Sequence, residues 1–592
     1  NWVPGQPTVD EVSSSMQIFG IVDYVIFTLM LVSCGGIGIY FGFIKKSTGE
    51  DEYLVGGRNM KTFPVSLSLI ASFFSGISLL GTPTEIYLTS TYEYLERRFD
   101  RKVRILGSTL FSIGIMLWLP IVIYVPALAF NQVTGVNVHI VTPFVCIICI
   151  FYTCVGGLRA VVWTDFVQAF IMFGAMLLVV IKGTADVGGL GVVLQRNRDS
   201  DRLELPMTDL SPSTRHTIWA LVIGGFVHWL QSAAINQNML QRYMSLPNLY
   251  EAKKALWIFI VGAVALIGVC GYSGLLIYAW YHECDPLTTK LVNAKDQLLP
   301  LLVMDVLGQF PGFPGLFVAG VFSAALSSLS TGLNSMAAVI FEDFIKPFRK
   351  TPFSTRTADI LMKLTVVILG VVCVGLVFVV EKAGTHVLEL TITMSAIHSG
   401  PSLGIFSIGI LLPWVNAKGK VSHSENLTFE TVKILLLKYN IFYQYKQGAL
   451  IGGLCGLGFM GWVTFSAQAA IASGNIISDE KSVTTEGCTY WFQQAENLLL
   501  AVPPDSVFET TDDGSSETWA IYRVSYLWYT VTGALVTMSI GLMVSIISSE
   551  SVNKLDPKLV APFLRKYFKT DNSIELHQVQ VCLIINFSLN TN

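Results

Sequence analysis

The sequence predicts an all-helical, polytopic membrane protein, and three observations carry that prediction. Only 13% of the 592 residues are charged, while 52% are hydrophobic. Soluble domains carry about 25% charge, so this chain has too few charges to cover a water-facing surface. Mean hydropathy is +0.58. Finally, the apolar residues fall in runs long enough to cross a bilayer, which takes about 20 residues for about 30 Å of hydrocarbon.

Twelve such runs are predicted spans: 18–43, 63–87, 105–130, 138–157, 161–183, 217–238, 255–281, 314–340, 361–381, 387–414, 448–472 and 524–548. The first is too long for a signal peptide, and Asp10 and Glu11 precede it where a basic flank would be needed. Residues 1–17 are then an extracellular N-terminal segment, 18–548 the membrane domain, and 549–592 a cytoplasmic tail.

Lys and Arg in short loops mark the cytoplasmic side. Basic loops lie at 44–62, 239–254 (Arg242, Lys253, Lys254) and 341–360, and the tail adds Lys554, Lys558, Arg565, Lys566 and Lys569. Segment 473–523 carries nine acids against Lys481 and Arg523 and is predicted to be extracellular. From the third span onward the sides alternate and place the C-terminus inside. One run breaks the alternation: 63–87 lies between two basic loops, because 88–104 holds Arg97, Arg98, Arg101, Lys102 and Arg104. Either that run does not cross fully, or a helix is missing just after Tyr87.

Several function classes are excluded. Lys plus Arg number 38 against 41 Asp plus Glu, so there is no basic excess to hold nucleic acid. Ten cysteines are too few for a disulfide scaffold. No HExxH, GxSxG or P-loop pattern occurs, so the chain is not predicted to be an enzyme, and any transport is secondary rather than ATP-driven.

Two spans are rich in small hydroxylated residues. Span 63–87 holds Ser66, Ser68, Ser72, Ser75, Gly76, Ser78, Gly81, Thr82, Pro83 and Thr84; span 314–340 holds Ser323, Ser327, Ser328, Ser330, Thr331, Gly332 and Ser335. Gly81–Thr82–Pro83 can break a helix, because proline removes a donor and clashes with the preceding turn. A broken helix at mid-membrane exposes carbonyls to a cation. Adjacent hydroxyls at Ser327 and Ser328 would suit a hard cation such as sodium. Ordinary close packing explains the same stripes.

Ionisable groups within spans are functional candidates. Asp165 stands six residues from Arg159, which allows either an interfacial ion pair or an ion-pathway role. Asp23 can lie near the outer headgroups, and Glu85 can be exposed at a span end. His228 and His398 read as satisfied core histidines. Tyr124, Trp229 and Tyr243 read as packing or interfacial aromatics. Cys284 and Cys488 both fall in extracellular loops, where a disulfide or two free thiols are equally open.

A series of motifs now carries a resemblance. TSTYEYLERRF (89–99), VIYVPALAFNQVTG (122–135), FYTCVGGLRAVVWTDFVQ (151–168) and NQNMLQRY (236–243) stand in order. CDPL (284–287), DQLLPLLVMD (296–305) and PGFPGLFVAGVFSAALSSLSTGLNSMAAVIFEDFIKP (311–347) follow. Together they resemble the sodium/solute symporter family, in the branch of multivitamin, monocarboxylate and iodide transporters. The resemblance covers roughly 16–415 and 448–548.

The resemblance implies a LeuT-type core of two inverted five-helix repeats, about 63–414, plus flanking helices. It implies plasma-membrane import of a small anion, driven by sodium through alternating access, with sodium as coupling ion and no cofactor. Its partners are then sodium, the anion and the lipid bilayer. The family's sodium site maps to carbonyls of Ala71, Phe74 and Ala324 and to the hydroxyls of Ser327 and Ser328. The substrate cavity maps to Ser75, Gly76 and Ser78, faced by Tyr124, Trp229, Asn236 and Gln237. Asp165 matches an acidic position linked to cation coupling. Phe74 replaces a glutamine of the iodide branch, which favours organic carboxylates, of the monocarboxylate or biotin-like vitamin type, over inorganic anions.

Three departures qualify it. A whole helix of the first repeat is missing between Glu85–Ile86–Tyr87 and Thr89, so a non-transporting isoform is an alternative, beside an iodide-type carrier of inorganic anions. Segment 420–447 is a non-family insertion with a sequon at Asn426, and the end from about 571, with a sequon at Asn586, lacks the family pattern. The sequence starts at Asn1 rather than Met, which is compatible with an N-terminus further upstream.

Overall fold

The structure, a computed structural model, describes residues 7–15, 19–45, 60–73, 92–203, 207–214, 216–292, 295–349, 351, 353–381, 387–412, 448–473, 481, 483–490, 519–547, 559–561 and 564. Among these, every regular element is a helix. A short α1 (Val9–Ser15) precedes α2 (Ile21–Ile39) and α3 (Thr62–Phe73). Then come α4 (Glu93–Arg98), α5 (Arg101–Thr134), α6 (Val138–Val187) and α7 (Leu190–Asp199). The middle of the chain forms α8 (Gly225–Ala234), α9 (Gln237–Met244), α10 (Leu249–Trp280), α11 (Leu298–Leu307) and α12 (Phe313–Val339). The chain ends on α13 (Thr355–Glu381), α14 (Val387–Leu411), α15 (Gly448–Ala472) and α16 (Tyr529–Ile547).

Nine helices among the described residues are long and apolar enough to cross a membrane. They contain ten of the twelve predicted spans, because α6 holds two. At 50 residues α6 would run about 75 Å at 1.5 Å per residue, far more than one crossing needs. Gly157, at φ 56° and ψ −157°, divides it. Only glycine adopts that conformation readily, and the break falls at the edge of the predicted spans 138–157 and 161–183.

The two remaining predicted spans differ from expectation. Span 63–87 is described only as far as Phe73, so the Gly81–Thr82–Pro83 stretch, Glu85 and the point after Tyr87 where a missing helix is expected lie outside the described residues. Span 217–238 is discontinuous. A π-turn at Ala220–Gly224 leads into α8, and the chain breaks at Ile235–Asn236 before α9 begins. Asn236 is extended there, and its side chain accepts the Asn238 N–H at 2.9 Å as an N-cap.

The central element is α12. Almost every residue from Pro314 to Val339 is buried, and α2, α3, α5, α6 and α13 surround it. Small residues permit this: a Cβ on Gly320 would stand 2.9 Å from that of Ala175 on α6. Burying both polar and apolar sides of α12 requires its hydroxyls to find partners inside the bundle.

Contacts between loops sort them onto two faces. On one, Met60 N–H donates to Ser245 O at 3.0 Å, Arg104 pairs with Asp343, and the Tyr94 hydroxyl donates to Leu559 O at 3.0 Å. This joins the predicted basic loops and the C-terminal tail. A cavity of about 370 Å³ between Glu96, Arg104, Asp343 and Lys346 opens there. On the other, the acidic segment meets the end of α10 through a Cys284–Cys488 disulfide, and Val9 and Val12 of α1 pack nearby. The disulfide, left open by the sequence, is formed. Met60, before α3, and Tyr94, in α4, both lie on this first face. The insertion 420–447, both sequons and the chain from 565 onward lie outside the described residues.

One placement is corrected, and one is made specific. Arg242 is not a loop charge, because it is 1% exposed. Asp23 lies near the start of its span but is turned into the bundle. It is 2% exposed, and its Oδ1 accepts the N–H groups of Gly312 and Gly315 at 2.9 Å each, capping the start of α12.

Candidate sodium site and its ion-pair neighbour

Ser327 and Ser328 lie wholly buried on α12. Ala71 is 1% exposed on α3, and Ala324 packs against the cluster that includes Val65, Leu69 and Ile70 of α3. The structure therefore packs the two small-residue helices, α3 and α12, against each other. Phe74, Ser75, Gly76 and Ser78 lie outside the described residues.

Next to this pair stands an ion pair that the sequence did not reveal. Arg242 Nη2 meets Asp165 Oδ2 at 2.8 Å, with the two side chains 1% and 0% exposed. The partner of Asp165 is thus Arg242 of α9, and the pair is buried within the bundle. Ser68 of α3 donates to Asp165 at 2.6 Å and accepts from Arg242 Nε at 2.7 Å. Arg242 also donates to Thr331 Oγ1 of α12 and to Asn238 O of its own helix, the latter at 3.1 Å. Thr331 passes the connection on by donating to Ser327 O at 2.7 Å, and the Ser327 hydroxyl itself bonds Asp165. Charge-assisted bonds on every side are what make such a buried pair tolerable; breaking one by removing a single partner costs about 3–5 kcal/mol.

The expected substrate residues are spread about the helix break. Gln237 is buried at the start of α9 and Asn236 caps it, while Trp229 of α8 packs in the cluster shared with α3. Tyr124 of α5 packs against the main core cluster instead. The histidines depart from the satisfied-core reading in part. His228 Nδ1 faces Thr530 Oγ1 at 3.4 Å, but buried His398 Nδ1 finds no hydrogen-bond partner among the described residues.

Chemically, the assembly offers hard oxygen donors and one balanced buried charge pair. Among the described residues no three His, Cys, Asp or Glu side chains gather as a transition-metal site would require.

Comparison with known proteins agrees with this geometry. The model of the sodium:solute symporter family matches residues 87–424. Sodium-coupled monocarboxylate transporter 1 of Xenopus laevis is 34% identical, over 90% of this chain and 87% of its own. The human sodium/iodide cotransporter is 33% identical, over 89% of this chain and 83% of its own. A solved substrate-bound, outward-open Na+-coupled sialic acid symporter superimposes with a TM-score of 0.63 at 19% identity, covering 89% of this chain and 98% of that one. That likeness shows the LeuT-like fold. Relatives a third identical along nine-tenths of the chain, on that fold, make this protein a member of the sodium:solute symporter family.

Proposed function

We propose that the chain is a plasma-membrane symporter that uses inward sodium flow to import a small monocarboxylate anion. The observation that carries this reading is the packing of α3, with its buried Ala71, against α12, with its buried Ser327–Ser328 pair. The serines supply two hydroxyls and α3 a carbonyl to the cation, with the Asp165 carboxylate beside Ser327. The basic face, with the tail at Leu559, is then cytoplasmic, and the face with the disulfide and α1 is extracellular, where oxidation is permitted.

Transporters of monocarboxylates and of iodide are about equally similar to the chain, so identity alone does not choose the anion. The apolar Phe74, where the iodide branch carries glutamine, favours an organic carboxylate with an aliphatic or aromatic body. Uptake of radiolabelled butyrate into oocytes, in sodium and in choline buffer, tests the reading. Sodium-dependent uptake displaced by nicotinate and biotin but not by perchlorate is expected. Displacement by iodide and perchlorate alone would move the assignment to inorganic anions. A chain that reaches the surface and moves neither is the non-transporting form that a missing helix of the first repeat would leave. Ser327→Ala with Ser328→Ala should abolish sodium-driven uptake at near-normal surface expression; unchanged sodium dependence would remove the site assignment.

A further inference from the structure

The two helices of the sodium site are tied together a second time, one turn away. Ser68 precedes Ala71 by three residues on α3, and Thr331 follows Ser327 by four on α12. Each therefore lies next to its neighbour on the same helix face. The Arg242 guanidinium spans the gap between them, reaching Ser68 at 2.7 Å and Thr331. Its charge is met by Asp165 of α6 at 2.8 Å. Ser327 bonds that same carboxylate. Asp165 is thus shared between a permanent cation and the hydroxyl expected to hold a transient one.

Arg242 is also fixed to the substrate side. It sits near the end of α9, which starts beside Asn236 and Gln237 at the break of the discontinuous helix. The eight residues of α9 make a rod of about 12 Å with expected substrate residues at one end and the Asp165 ion pair at the other. The rod is held at its far end by side-chain bonds to three different helices, so it cannot shift without disturbing them.

We infer that Arg242 is a positioning residue that couples the two sites: sodium at Ser327–Ser328 competes for Asp165, loosens Arg242 and thereby resets Asn236 and Gln237 for the anion. Arg242 touches neither ligand. With no sodium, Asp165 is committed to Arg242, and α9 is held against α3 and α12. Sodium beside Ser327 adds a second positive charge near the carboxylate. Coupling of this kind is reciprocal, so the anion must strengthen sodium binding by the same factor. Lysine preserves the charge but not the planar fork that reaches Ser68, Asp165 and Thr331 together. The inference rests on the proposed sodium site.

The test uses the full chain in lipid nanodiscs. Binding of radiolabelled butyrate (iodide, where the uptake assay selects it) is measured with and without sodium, and radioactive sodium binding is measured separately. Sodium should raise anion affinity at least about fivefold in the parent protein, the usual scale of such coupling. In Arg242→Gln the factor should fall below about twofold while sodium still binds, and Arg242→Lys should recover part of it. Asp165→Asn with Arg242→Gln removes both charges and so avoids an orphaned buried ion; it should lose the factor too. A full sodium effect in Arg242→Gln, or in that neutral pair, overturns the inference. So does loss of sodium binding itself in Arg242→Gln, which would make Arg242 part of the ion site. If Ser327→Ala with Ser328→Ala binds sodium as the parent does, the sodium site falls, and the inference with it.

Discussion

Asp23 on α2 and Gly315 on α12 meet so closely that neither can change alone. The Gly315 N–H donates to Asp23 Oδ1 at 2.9 Å, and a Cβ on Gly315 would stand 2.5 Å from the Asp23 Cα. The carboxylate satisfies N–H groups of the first turn of α12 and faces the positive end of its dipole. Gly315→Ala must push two backbones apart, an overpacking cost of about 1–3 kcal/mol. Asp23→Ala leaves the N–H groups of Gly312 and Gly315 buried without acceptors, at about 1–3 kcal/mol. Asp23→Asn keeps an acceptor oxygen and should lie between Asp23→Ala and the parent. Thermal unfolding followed by fluorescence-detected gel filtration ranks the three variants. Equal melting of parent and Asp23→Ala would show that water or lipid headgroups satisfy that helix start.

The Cys284–Cys488 bridge closes a sequence separation of 204 residues. Around it, Asp285 N–H donates to Thr484 O at 3.0 Å, Gly487 N–H to Glu283 O at 3.0 Å, and the hydroxyls of Tyr490 and Thr289 stand 2.9 Å apart. Those few bonds would have to hold an acidic segment in place without the covalent link. Cys284→Ser with Cys488→Ser should therefore cost about 2–5 kcal/mol, the usual range for a native bridge. Thermal stability should drop, and protease should cut 473–523 faster. A reductant should reproduce both effects in the parent and change nothing in the double variant. If the reductant also destabilises the double variant, another thiol is responsible.

What the sequence could show follows from how far apart the partners lie. The Ser327–Ser328 pair was legible because adjacent hydroxyls in an apolar run are conspicuous by themselves. The division of α6 at Gly157 was legible because apolar length forbids one straight crossing. Arg242 was not. Beside an apolar span it looks like one more positive-inside charge, and its counter-ion lies 77 residues away. The capping role of Asp23 was hidden for the same reason, since the N–H groups it holds are 289 and 292 residues distant. The break at Ile235–Asn236 carries neither proline nor glycine; only the Asn236 side chain, an N-cap residue within NQNMLQRY, signalled it. For Cys284 and Cys488 the compartment was predictable, but not that the fold sets their Cα atoms 4.9 Å apart.

Gly114 of α5 and His398 of α14 give the last prediction. A Cβ on Gly114 would fall 2.3 Å from His398 Nε2, so the imidazole fills the space that glycine leaves. The ring lies against α5 at Gly114, and its Nδ1 is buried. Gly114→Ala alone should destabilise the protein by about 1–3 kcal/mol through overpacking. His398→Ala alone should destabilise it by opening a cavity, offset in part because the buried, unpartnered Nδ1 leaves with the ring. Combining them places a methyl group where the ring was removed, so the double variant should be more stable than the sum of the single losses predicts. A double-mutant cycle on melting temperatures reads this directly, and residues in contact normally show coupling of about 0.5–3 kcal/mol. Strict additivity would mean that α5 and α14 separate when Gly114 is enlarged, and that His398 is held by something other than the glycine it faces.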